Sequence, residues 1–454
     1  MSDLDAIFKA YDIRGTYPDQ IDATGCYAIG AAFAHFALQE GGAVPEILVA
    51  RDMRPSGVEL AEAFSEGVRS QGVDVVDVGL ASTDLMYFAS GTRGAPGAMF
   101  TASHNPAQYN GIKFCLAGAR PLGLDSGLDQ VRELARTGVA PVATKGGTSS
   151  VDLLGAFADH VRSFVDTSVF KPLKVVADTA NGMGGLVVPA VFDVLPFDLE
   201  IMYKELDGRF PNHPADPLQP ENQRDLCARV REVGADIGFA FDGDADRVFV
   251  VDEQGIGISG SATTALVAAG VLEKEPGATI LHNLICSKAV PEVVRERGGT
   301  PIRTKVGHSY IKAEMAATGA AFGGEHSAHY YFRDNFRADS GLIAAMHVLE
   351  RRCLGDQPMS VLRQPFDRYA DSGEINTQVN DPAAVIDAVA AHFAAEVPSS
   401  TQDRLDGLTV DFGDWWFNLR PSNTEPLLRL NLEARTRDEC DDHTSALLHL
   451  ITKG

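Results

Sequence analysis

The sequence predicts a multidomain α/β protein whose last segment is a smaller α+β domain. A chain of 454 residues exceeds what one hydrophobic core usually serves. Short apolar runs bounded by turn residues alternate with helical patterns, first over Glu46–Ala50, residues 57–71 and Val73–Val78. Because the alternation returns at Leu173–Asp178 and at Thr279–Leu281, we expect repeated α/β units of similar size.

Three clusters of turn-forming residues divide the chain into four segments. They lie at Ala143–Ser150, near Gly255–Gly260 and near Pro365–Gly373. The predicted domains therefore cover residues 1–148, 149–256, 257–368 and 369–454. In the last of them, Asp411–Leu419 and Leu427–Leu432 read as strands before a helical end, which indicates α+β structure.

The charge balance argues against a polyanionic partner. Lys and Arg number 39 against 62 Asp and Glu, so the formal net charge is −23. Such a chain repels nucleic acid and anionic lipid surfaces. A small anionic substrate is still compatible with this charge, because local basic groups and backbone amides can bind phosphate inside an acidic protein.

Cysteine usage and the N-terminal segment suggest a cytoplasmic protein. The six cysteines lie far apart and form no CxxC pair, so we expect reduced thiols rather than a disulfide scaffold or a zinc site. The N-terminus is acidic, and no run of about 18 uncharged apolar residues occurs in the chain. We expect no membrane association, and the sequence leaves the oligomeric partner open.

A polar loop that contains a serine follows a short apolar segment, which reads as the end of a buried strand. Ala98–Phe100 is apolar, and the polar segment Thr101–Pro106 places Ser103 where ligands bind in open α/β sheets. His104 beside the serine, Lys113 after it and the lack of a GxSxG elbow favour phosphoryl chemistry over acyl transfer. An ordinary turn built by Asn and Pro would explain the same local sequence.

An acidic loop carries three aspartates at alternate positions, Asp242, Asp244 and Asp246. It lies between the predicted strands Ala235–Phe241 and Val248–Val251. Three carboxylates can converge on one hard cation, whereas their mutual repulsion opposes a purely structural role. We therefore expect a metal site, and Mg²⁺ fits it because Mg²⁺ accepts incomplete protein cages completed by a phosphate oxygen.

The acidic loop has two other interpretations. Its aspartates and Glu253 match EF-hand positions, but Arg247 stands where that motif requires Gly, and the flanks look like strands. A calcium-binding sugar-recognition module therefore stays a remote alternative. A phosphatase or phosphotransferase with Asp242 as nucleophile is the second, although it would leave the serine loop without a role.

A third loop has the composition of a sugar-binding segment. Gly323–Phe332 begins with a glycine turn and is expected to run extended, which would place Glu325, Ser327 and His329 on one face. Such donors and acceptors suit sugar hydroxyls, while a half-exposed strand with a polar side is the plainer interpretation. His308 is either a proton carrier or an ordinary loop histidine.

A fourth loop, Arg420–Pro426, has the composition of a phosphate cradle. It gathers a guanidinium, two hydroxyls, an amide and backbone N–H groups between two apolar strands. The candidate phosphate-binding side chains are those of Arg420, Ser422, Asn423 and Thr424. A plain turn is the alternative, because Pro, Ser, Asn and Thr are common turn formers.

Five motifs are spread over nearly the whole chain: Tyr11–Gly15, Thr101–Pro106, Asp242–Arg247, Gly324–His329 and Arg420–Pro426. In this order they resemble the motifs of the α-D-phosphohexomutase superfamily. The resemblance implies four domains around a central cleft. The first three would be related α/β domains with mixed sheets, and the last a smaller α+β domain that closes over the substrate.

The resemblance also implies a reaction centre. Ser103 would be the phosphoserine, and its phosphate would share Mg²⁺ with Asp242, Asp244 and Asp246. The basic and polar groups around that phosphate would be Arg14, His104, Lys113 and Arg247. Phosphate would pass from Ser103 to a hexose phosphate, and a hexose 1,6-bisphosphate intermediate, which also serves as activator, would turn end for end and return its other phosphate.

The same resemblance assigns the substrate contacts. Glu325 and Ser327 would contact sugar hydroxyls, and the fourth loop would hold the substrate's non-reacting phosphate. His308 and His329 would serve in proton transfer or substrate contact.

The Tyr-Asp-Ile-Arg-Gly start resembles the phosphomannomutase/phosphoglucomutase branch of the superfamily rather than the phosphoglucosamine branch. It implies interconversion of mannose 6-phosphate and mannose 1-phosphate for GDP-mannose and glycan precursor synthesis, with glucose phosphates as the alternative substrates. His326 and Ala328 depart from the residues expected in dual-specificity relatives, so the sugar preference stays open.

Overall fold

Four separate β-sheets follow one another along the chain in a computed structural model that describes residues 4–41, 45–421 and 427–453. The first three sheets contain both parallel and antiparallel strand pairs, and the fourth is antiparallel throughout. We refer to each sheet with its helices as domains I to IV. The predicted fold class, three related α/β domains with mixed sheets and a smaller C-terminal α+β domain, is confirmed.

Domain I contains a seven-stranded sheet in the order β1-β5-β4-β2-β3-β7, with β6 paired to β5. Its strands are β1 (Ile13–Thr16), β2 (Glu46–Arg51), β3 (Asp74–Leu80), β4 (Gly97–Phe100), β5 (Tyr109–Leu116), β6 (Arg120–Pro121) and β7 (Thr148–Ser150). Its helices are α1 (Leu4–Ile7), α2 (Ala23–Gly41), α3 (Ser56–Arg69), α4 (Thr83–Arg93) and α5 (Leu128–Thr137). Strands β4, β2 and β3 are parallel, and their apolar runs are buried as expected for a sheet covered on both faces.

Domain II contains a five-stranded sheet in the order β12-β11-β10-β8-β9. Its strands are β8 (Leu173–Asp178), β9 (Phe197–Met202), β10 (Ile237–Phe241), β11 (Val248–Asp252) and β12 (Gly257–Ile258). Its helices are α6 (Leu154–Arg162), α7 (Gly184–Phe192) and α8 (Arg224–Val233). Strand β10 is parallel to β8 and antiparallel to β11, so the chain reverses directly after β10.

Domain III contains a four-stranded sheet in the order β14-β13-β15-β16. Its strands are β13 (Thr279–Asn283), β14 (Thr300–Thr304), β15 (Phe322–Gly324) and β16 (Tyr330–Phe332). Its helices are α9 (Gly260–Lys274), α10 (Ala289–Glu296), α11 (His308–Thr318), α12 (Gly341–Leu354) and α13 (Met359–Leu362). Serine hydroxyls cap α9 and α12, since Ser259 accepts from the N–H of Ala262 and Ser340 accepts from that of Ile343.

Domain IV contains a five-stranded sheet in the order β17-β21-β20-β19-β18. Its strands are β17 (Ala370–Gln378), β18 (Thr401–Asp403), β19 (Leu408–Asp411), β20 (Trp416–Pro421) and β21 (Leu427–Ala434). Its helices are α14 (Pro382–Glu396) and α15 (Arg437–Lys453).

The predicted strand over Asp411–Leu419 is wrong. The chain reverses between β19 and β20, which are antiparallel neighbours, and Gly413 takes the left-handed conformation in the turn, with φ 91°. Phe412 and Trp415 made the segment look strand-like. Their rings instead stack face to face across the turn, with centroids 3.9 Å apart.

Each of the three α/β domains places one predicted functional loop at the same position in its sheet. In each, a strand parallel to its neighbour is followed by an antiparallel strand: β4 by β5, β10 by β11, and β15 by β16. The turn between the two lies at the carboxyl end of the parallel strand, where open α/β sheets bind ligands. The serine loop, the acidic loop and the predicted sugar loop are these three turns.

The hydrophobic core is continuous through the first three domains and separate in the fourth. One buried cluster extends from Leu48 in β2 through Val176 in β8 to Leu266 in α9. A second fills the other face of the domain I sheet, beneath α2 and α3. Domain IV has its own cluster, so it does not share apolar core with the rest of the described chain.

Helices α2 and α3 approach so closely that glycine is required at their contact. A Cβ on Gly30 would lie 2.1 Å from the carbonyl oxygen of Phe64, and one on Gly67 would lie 2.1 Å from that of Tyr27. Neither carbonyl can move without shifting its helix. The two glycines therefore set the distance between the helices that cover one face of the domain I sheet.

None of the helices in the described part of the chain is both long enough and apolar enough to cross a bilayer.

We expect Gly30→Ala to destabilise domain I by about 1–3 kcal/mol, because the added methyl group must push two buried helices apart. Gly270→Ala is the matched control, since Gly270 also lies in a helix but its Cβ would meet no described atom within 4 Å. Thermal unfolding followed by circular dichroism measures both. A melting temperature for Gly30→Ala equal to that of the parent would contradict the close-contact argument.

Candidate active site

The serine loop of domain I places Ser103 beside the acidic loop of domain II. The Ser103 hydroxyl donates to the Asp242 carboxylate at 2.9 Å, although 139 residues separate them in the chain. Ser103 has φ 50°, in the left-handed region that costs a non-glycine residue on the order of 1 kcal/mol. Its N–H donates to the Thr101 hydroxyl at 2.8 Å, which fixes the turn from within.

Asp242, Asp244 and Asp246 converge as predicted. One oxygen from each lies within 4.8 Å of the others, and all three residues are buried. One oxygen of Asp244 and one of Asp246 are buried without a hydrogen-bond partner among the described residues. Buried carboxylate oxygens left unpaired are costly, so these donors fit a hard divalent cation.

Two groups of domain I hold the outer oxygens of the aspartates. Lys113 Nζ lies 2.8 Å from Asp244 Oδ2 and 2.7 Å from Asp246 Oδ2, and the Thr83 hydroxyl donates to Asp244 Oδ2 at 2.6 Å. Burial works to lower the pKa of Lys113, but the two carboxylates outweigh it and hold that pKa well above its ordinary value. Lys113 is therefore a fixed positive charge at this site.

The aspartates are not electrostatically equivalent. Burial raises the pKa of Asp242 against the opposing effect of Arg247. Burial also acts to raise the pKa of Asp244, but Lys113 and the Thr83 hydroxyl outweigh it and keep that pKa below its ordinary value. An arriving cation would favour the ionised form of every carboxylate in the triad.

Arg247 connects the two loops from the other side. Its Nε lies 2.8 Å from Asp242 Oδ2, and its Nη2 lies 2.6 Å from Nδ1 of His104. Burial, followed by Arg247 and Arg14, holds the pKa of His104 well below its ordinary value. Since guanidinium only donates, His104 Nδ1 accepts, and this neutral ring lies 3.4 Å from the Ser103 hydroxyl.

Arg14 reaches the same loop from β1. Its guanidinium donates to the Asn105 side chain at 2.5 Å and to Asp12 at 2.6 Å. The structure thus brings together all the residues predicted around the serine: Ser103, His104, Lys113, Arg14, Arg247 and the three aspartates.

The predicted extended course of the third loop is wrong. Residues 325–329 form the turn between β15 and β16, closed by bonds from Ala328 N to Glu325 O and from Glu325 N to His329 O. Ala328 has φ 66°, so alternation of side chains stops there. Glu325, Ser327 and His329 therefore do not share one strand face, because the two flanking strands are antiparallel neighbours and the chain must reverse between them.

Glu325 is buried and accepts three hydrogen bonds from the protein. Its carboxylate accepts from the Tyr331 hydroxyl at 2.6 Å, from Asn283 Nδ2 at 3.0 Å and from the Gly307 N–H at 3.2 Å. Ser327 is half-buried in the same turn. The Glu325 contacts tie the predicted sugar loop to the loop that precedes α11.

His329 points toward the acidic loop. Its Nδ1 lies 2.9 Å from Asp339 Oδ2 and 3.9 Å from Asp246 Oδ1, while Lys312 lies 3.0 Å from the other Asp339 oxygen. Burial acts to lower the pKa of His329, but the hydrogen bond to Asp339 and the charge of Asp246 raise it above its ordinary value. The Asp339 contact holds a proton on Nδ1 of His329.

His308 begins α11 and packs edge-on against the ring of Tyr11, with centroids 4.3 Å apart. Its Nδ1 is buried and lacks a hydrogen-bond partner among the described residues. Burial and the nearby Lys312 hold the pKa of His308 well below its ordinary value. It is thus a neutral ring with a free nitrogen between domains I and III.

Arg420 lies near the end of β20 in domain IV. It donates to Glu374 at 2.7 Å, while its Nε is buried without a partner among the described residues. The other predicted phosphate ligands, Ser422, Asn423 and Thr424, lie outside the described residues.

Sequence reasoning missed two residues that contact this site, Thr83 and Asp339. Thr83 bonds Asp244, and Asp339 bonds His329. Thr83 comes shortly after β3, a strand parallel to β2, so its position at a carboxyl strand end was an available signal. Asp339 follows an irregular segment and offered no comparable signal.

The arrangement suits reversible phosphoryl transfer. A serine hydroxyl touches a cluster of carboxylates that fits a divalent cation, and Lys113, Arg14 and Arg247 supply positive charge around it. Transfer of a phosphoryl group depends mainly on positioning and on stabilising the charge on its oxygens. A neutral His104 adds a polar ring at hydrogen-bond distance from that hydroxyl.

Comparison with known families agrees with this chemistry. Four phosphoglucomutase/phosphomannomutase models match in order: α/β/α domain I over residues 5–137, α/β/α domain II over residues 155–255, α/β/α domain III over residues 259–369 and the C-terminal domain over residues 374–447. Together they span most of the chain.

Individual relatives give the same result. The chain is 41% identical over 438 residues to a phosphomannomutase of Salmonella montevideo, covering 94% of each chain. It is 40% identical over 432 residues to a protein of Xanthomonas campestris named phosphohexose mutases, covering 94% of this chain and 95% of the relative.

A solved structure from Burkholderia thailandensis, described as a phosphoglucomutase/phosphomannomutase family protein, superposes with a TM-score of 0.90 at 32% identity. The match covers 100% of this chain and 98% of that one. The chain therefore belongs to the phosphoglucomutase/phosphomannomutase family of α-D-phosphohexomutases, and it is an isomerase that acts by intramolecular phosphoryl transfer.

Proposed function

We propose that the protein is a phosphomannomutase that interconverts mannose 6-phosphate and mannose 1-phosphate through a phosphorylated Ser103. The observation that carries the proposal is the contact of the Ser103 hydroxyl with Asp242, inside a carboxylate triad that has two unpaired buried oxygens. The names of relatives about 40% identical support the mannose assignment. Such an enzyme would supply mannose 1-phosphate for GDP-mannose and glycan precursor synthesis.

Asp242, Asp244 and Asp246 would hold Mg²⁺ together with the phosphate on Ser103. When bound, the cation would neutralise charge that develops on the phosphoryl oxygens. Lys113, Arg14 and Arg247 are proposed to orient the same oxygens, since they approach the serine from three sides. His104 would help to keep the hydroxyl in place, with its ring held neutral and its Nδ1 accepting from Arg247.

The substrate is proposed to lie between domains I, III and IV. Glu325 and Ser327 would contact the sugar hydroxyls, and Arg420 with Ser422, Asn423 and Thr424 would hold the phosphate that does not react. After the first transfer the hexose 1,6-bisphosphate must turn end for end, so these contacts would serve two orientations of one sugar. The same bisphosphate is the proposed activator, because it can rephosphorylate Ser103.

His329 and His308 are proposed to move protons or contact substrate on the domain III side. His329 is the stronger candidate for a proton donor, because Asp339 and Asp246 raise its pKa above the ordinary value. His308 would act through its free Nδ1 as an acceptor, since burial holds it neutral.

Phosphoglucomutase activity is the second candidate. The name of the Xanthomonas relative does not specify the hexose, and the His326 and Ala328 substitutions lie in the proposed sugar loop. Turnover of mannose 1-phosphate, glucose 1-phosphate and glucosamine 1-phosphate on one preparation separates these activities. An Asp242-based phosphotransferase stays a remote third candidate, which the mass experiment below distinguishes.

We further propose a cytoplasmic location and domain boundaries close to residues 148, 256 and 368. The boundaries rest on the clusters of turn residues. The first lies within β7, the second between β11 and the edge strand β12 that pairs with it, and the third between α13 and β17.

Intact-mass analysis is expected to find one phosphoryl group on Ser103 that is lost on incubation with excess hexose phosphate. Ser103→Ala should nearly abolish turnover while hexose-phosphate binding stays measurable, because the other contacts are untouched. Ser149→Ala, at an exposed serine in β7, is the control and should behave as the parent. Full turnover by Ser103→Ala, or phosphate found on Asp242 instead, would overturn the assignment.

Mg²⁺ is expected to raise the melting temperature of the parent, because a ligand that binds the folded state stabilises it. The rise should be largely lost in Asp244→Asn, which keeps the side-chain shape but removes one charge from the triad. Asp356→Asn is the control, since Asp356 has a 97% exposed side chain and pairs with Lys171. An undiminished rise in Asp244→Asn would remove the triad from metal binding.

Arg420→Ala is expected to weaken hexose-phosphate binding by on the order of 1.5–3 kcal/mol, the usual value of a hydrogen bond to a charged group. Isothermal titration with Ser103→Ala as background measures binding without turnover. Arg435→Ala is the matched control, because Arg435 also belongs to domain IV but pairs with Asp414 on the surface. Equal affinity in the Arg420 variant and its parent would argue against the phosphate cradle.

A further inference from the structure

Arg54 is the largest fully buried charged side chain near the serine loop, and none of the roles described above uses it. It follows β2 in domain I, at the carboxyl end of that strand, and its side chain has no exposed area. A buried guanidinium needs a counter-charge and an acceptor for each of its N–H groups. The acceptors around Arg54 therefore show which part of the chain it holds.

All five N–H groups of Arg54 have acceptors. Nε donates to Asp52 Oδ2 at 3.2 Å, which balances the charge. Nη1 donates to the carbonyl oxygens of Pro106 at 2.8 Å and Tyr109 at 3.0 Å. Nη2 donates to those of Ser103 at 2.9 Å and Asn105 at 2.6 Å. Four of the five donors therefore hold backbone carbonyls of one segment, Ser103 to Tyr109.

The segment from Ser103 to Tyr109 contains a strained backbone conformation that needs support from its surroundings. Ser103 occupies the left-handed region, which an L residue adopts only when its surroundings impose it. Its carbonyl is also backed by Gly243, where a Cβ would lie only 2.4 Å from that oxygen. With the carbonyls turned toward Arg54, the serine side chain is left facing Asp242.

Asp52 binds Arg54 with both carboxylate oxygens. Its Oδ1 accepts from the backbone N–H of Arg54 at 2.9 Å, in addition to the bond from Nε to Oδ2. Domain II covers the guanidinium, with the Phe210 ring centroid 5.0 Å from it and Gly208 packed against the Arg54 backbone. Water is thereby kept from the bonds that hold the loop.

We propose that Arg54 is a positioning residue for Ser103, the proposed phosphoryl carrier. By holding four carbonyls of the segment from Ser103 to Tyr109, it keeps the Ser103 hydroxyl aimed at the acidic loop in both half-reactions. This inference rests on the proposed role of Ser103. The Arg54 guanidinium hydrogen-bonds Asp52 and backbone carbonyls, and among the described residues it donates neither to Asp242 nor to the side chain of Ser103.

A positioning role has a kinetic signature. The proposed sugar and distal phosphate contacts lie in domains III and IV, so a loosened serine loop leaves substrate binding intact. The effect therefore falls on kcat and on the rate at which a hexose 1,6-bisphosphate phosphorylates Ser103, rather than on KM. Lysine cannot replace Arg54, because one ammonium offers three donors and lacks the planar fork that reaches carbonyls on two sides.

The test compares Arg54→Lys with Arg162→Lys. Arg162 is a matched control, since its Nη1 donates to the carbonyl oxygens of Ala190 and Val191 and its Nη2 to Asp159, away from the serine loop. Asp52→Asn/Arg54→Gln is a second variant that removes both charges of the buried pair, so that neither is left unpaired. Circular dichroism and melting temperature establish which variants are folded.

We expect a folded Arg54 variant to lose about 100-fold in kcat and in Ser103 phosphorylation rate at nearly unchanged KM, while Arg162→Lys matches the parent. The inference is overturned if a folded Arg54 variant keeps the parental kcat, if the loss appears in KM alone, or if neither Arg54 variant folds. Absence of phosphate on Ser103 in the parent even after incubation with a hexose 1,6-bisphosphate would instead refute the proposed function, and the mass measurement separates the two failures.

Discussion

The accumulation of buried negative charge beside Ser103 is the constraint on which the rest of the active site depends. Three buried aspartates lie on one turn of domain II, and the positive charges that contact them come from two domains. Lys113 reaches them from domain I, and Arg247 comes from their own turn. The two sheets are therefore held in one relative position by electrostatics as well as by the apolar core they share. One oxygen of Asp244 and one of Asp246 still lack a hydrogen-bond partner among the described residues, so the negative charge is not fully balanced there.

Much of this site could be predicted from the sequence, because its key side chains lie on turns that directly follow apolar strands. Ser103 follows the apolar strand that ends at Phe100, and Asp242 follows the one that ends at Phe241, so the local pattern alone predicts both loops. Other contacts could not be predicted in this way. Asp339 reaches His329 through packing between an irregular segment and a turn, and the guanidinium of Arg54 is enclosed by carbonyls about 50 residues away in the chain. Neither relation leaves a local pattern.

The two wrong strand predictions have a common physical origin. Both Asp411–Leu419 and Gly323–Phe332 contain enough apolar and aromatic residues to read as continuous strands, yet each is a hairpin. In the first, two aromatic rings stack across the turn instead of alternating across a sheet. In the second, a left-handed alanine reverses the chain. Composition indicates that such a segment belongs to a sheet, whereas the place of reversal depends on one or two residues with positive φ.

Domain IV meets domain III mainly through polar contacts. Lys288 binds Asp411 and Glu433 across that boundary, and the N–H of Val306 donates to Asp406 at 3.3 Å. Contacts of this kind exchange readily with water, and domain IV has a core of its own. The consequence concerns tolerance to substitution: a change on the domain IV side leaves the shared apolar core of the other three domains, and with it the contact between Ser103 and Asp242, undisturbed.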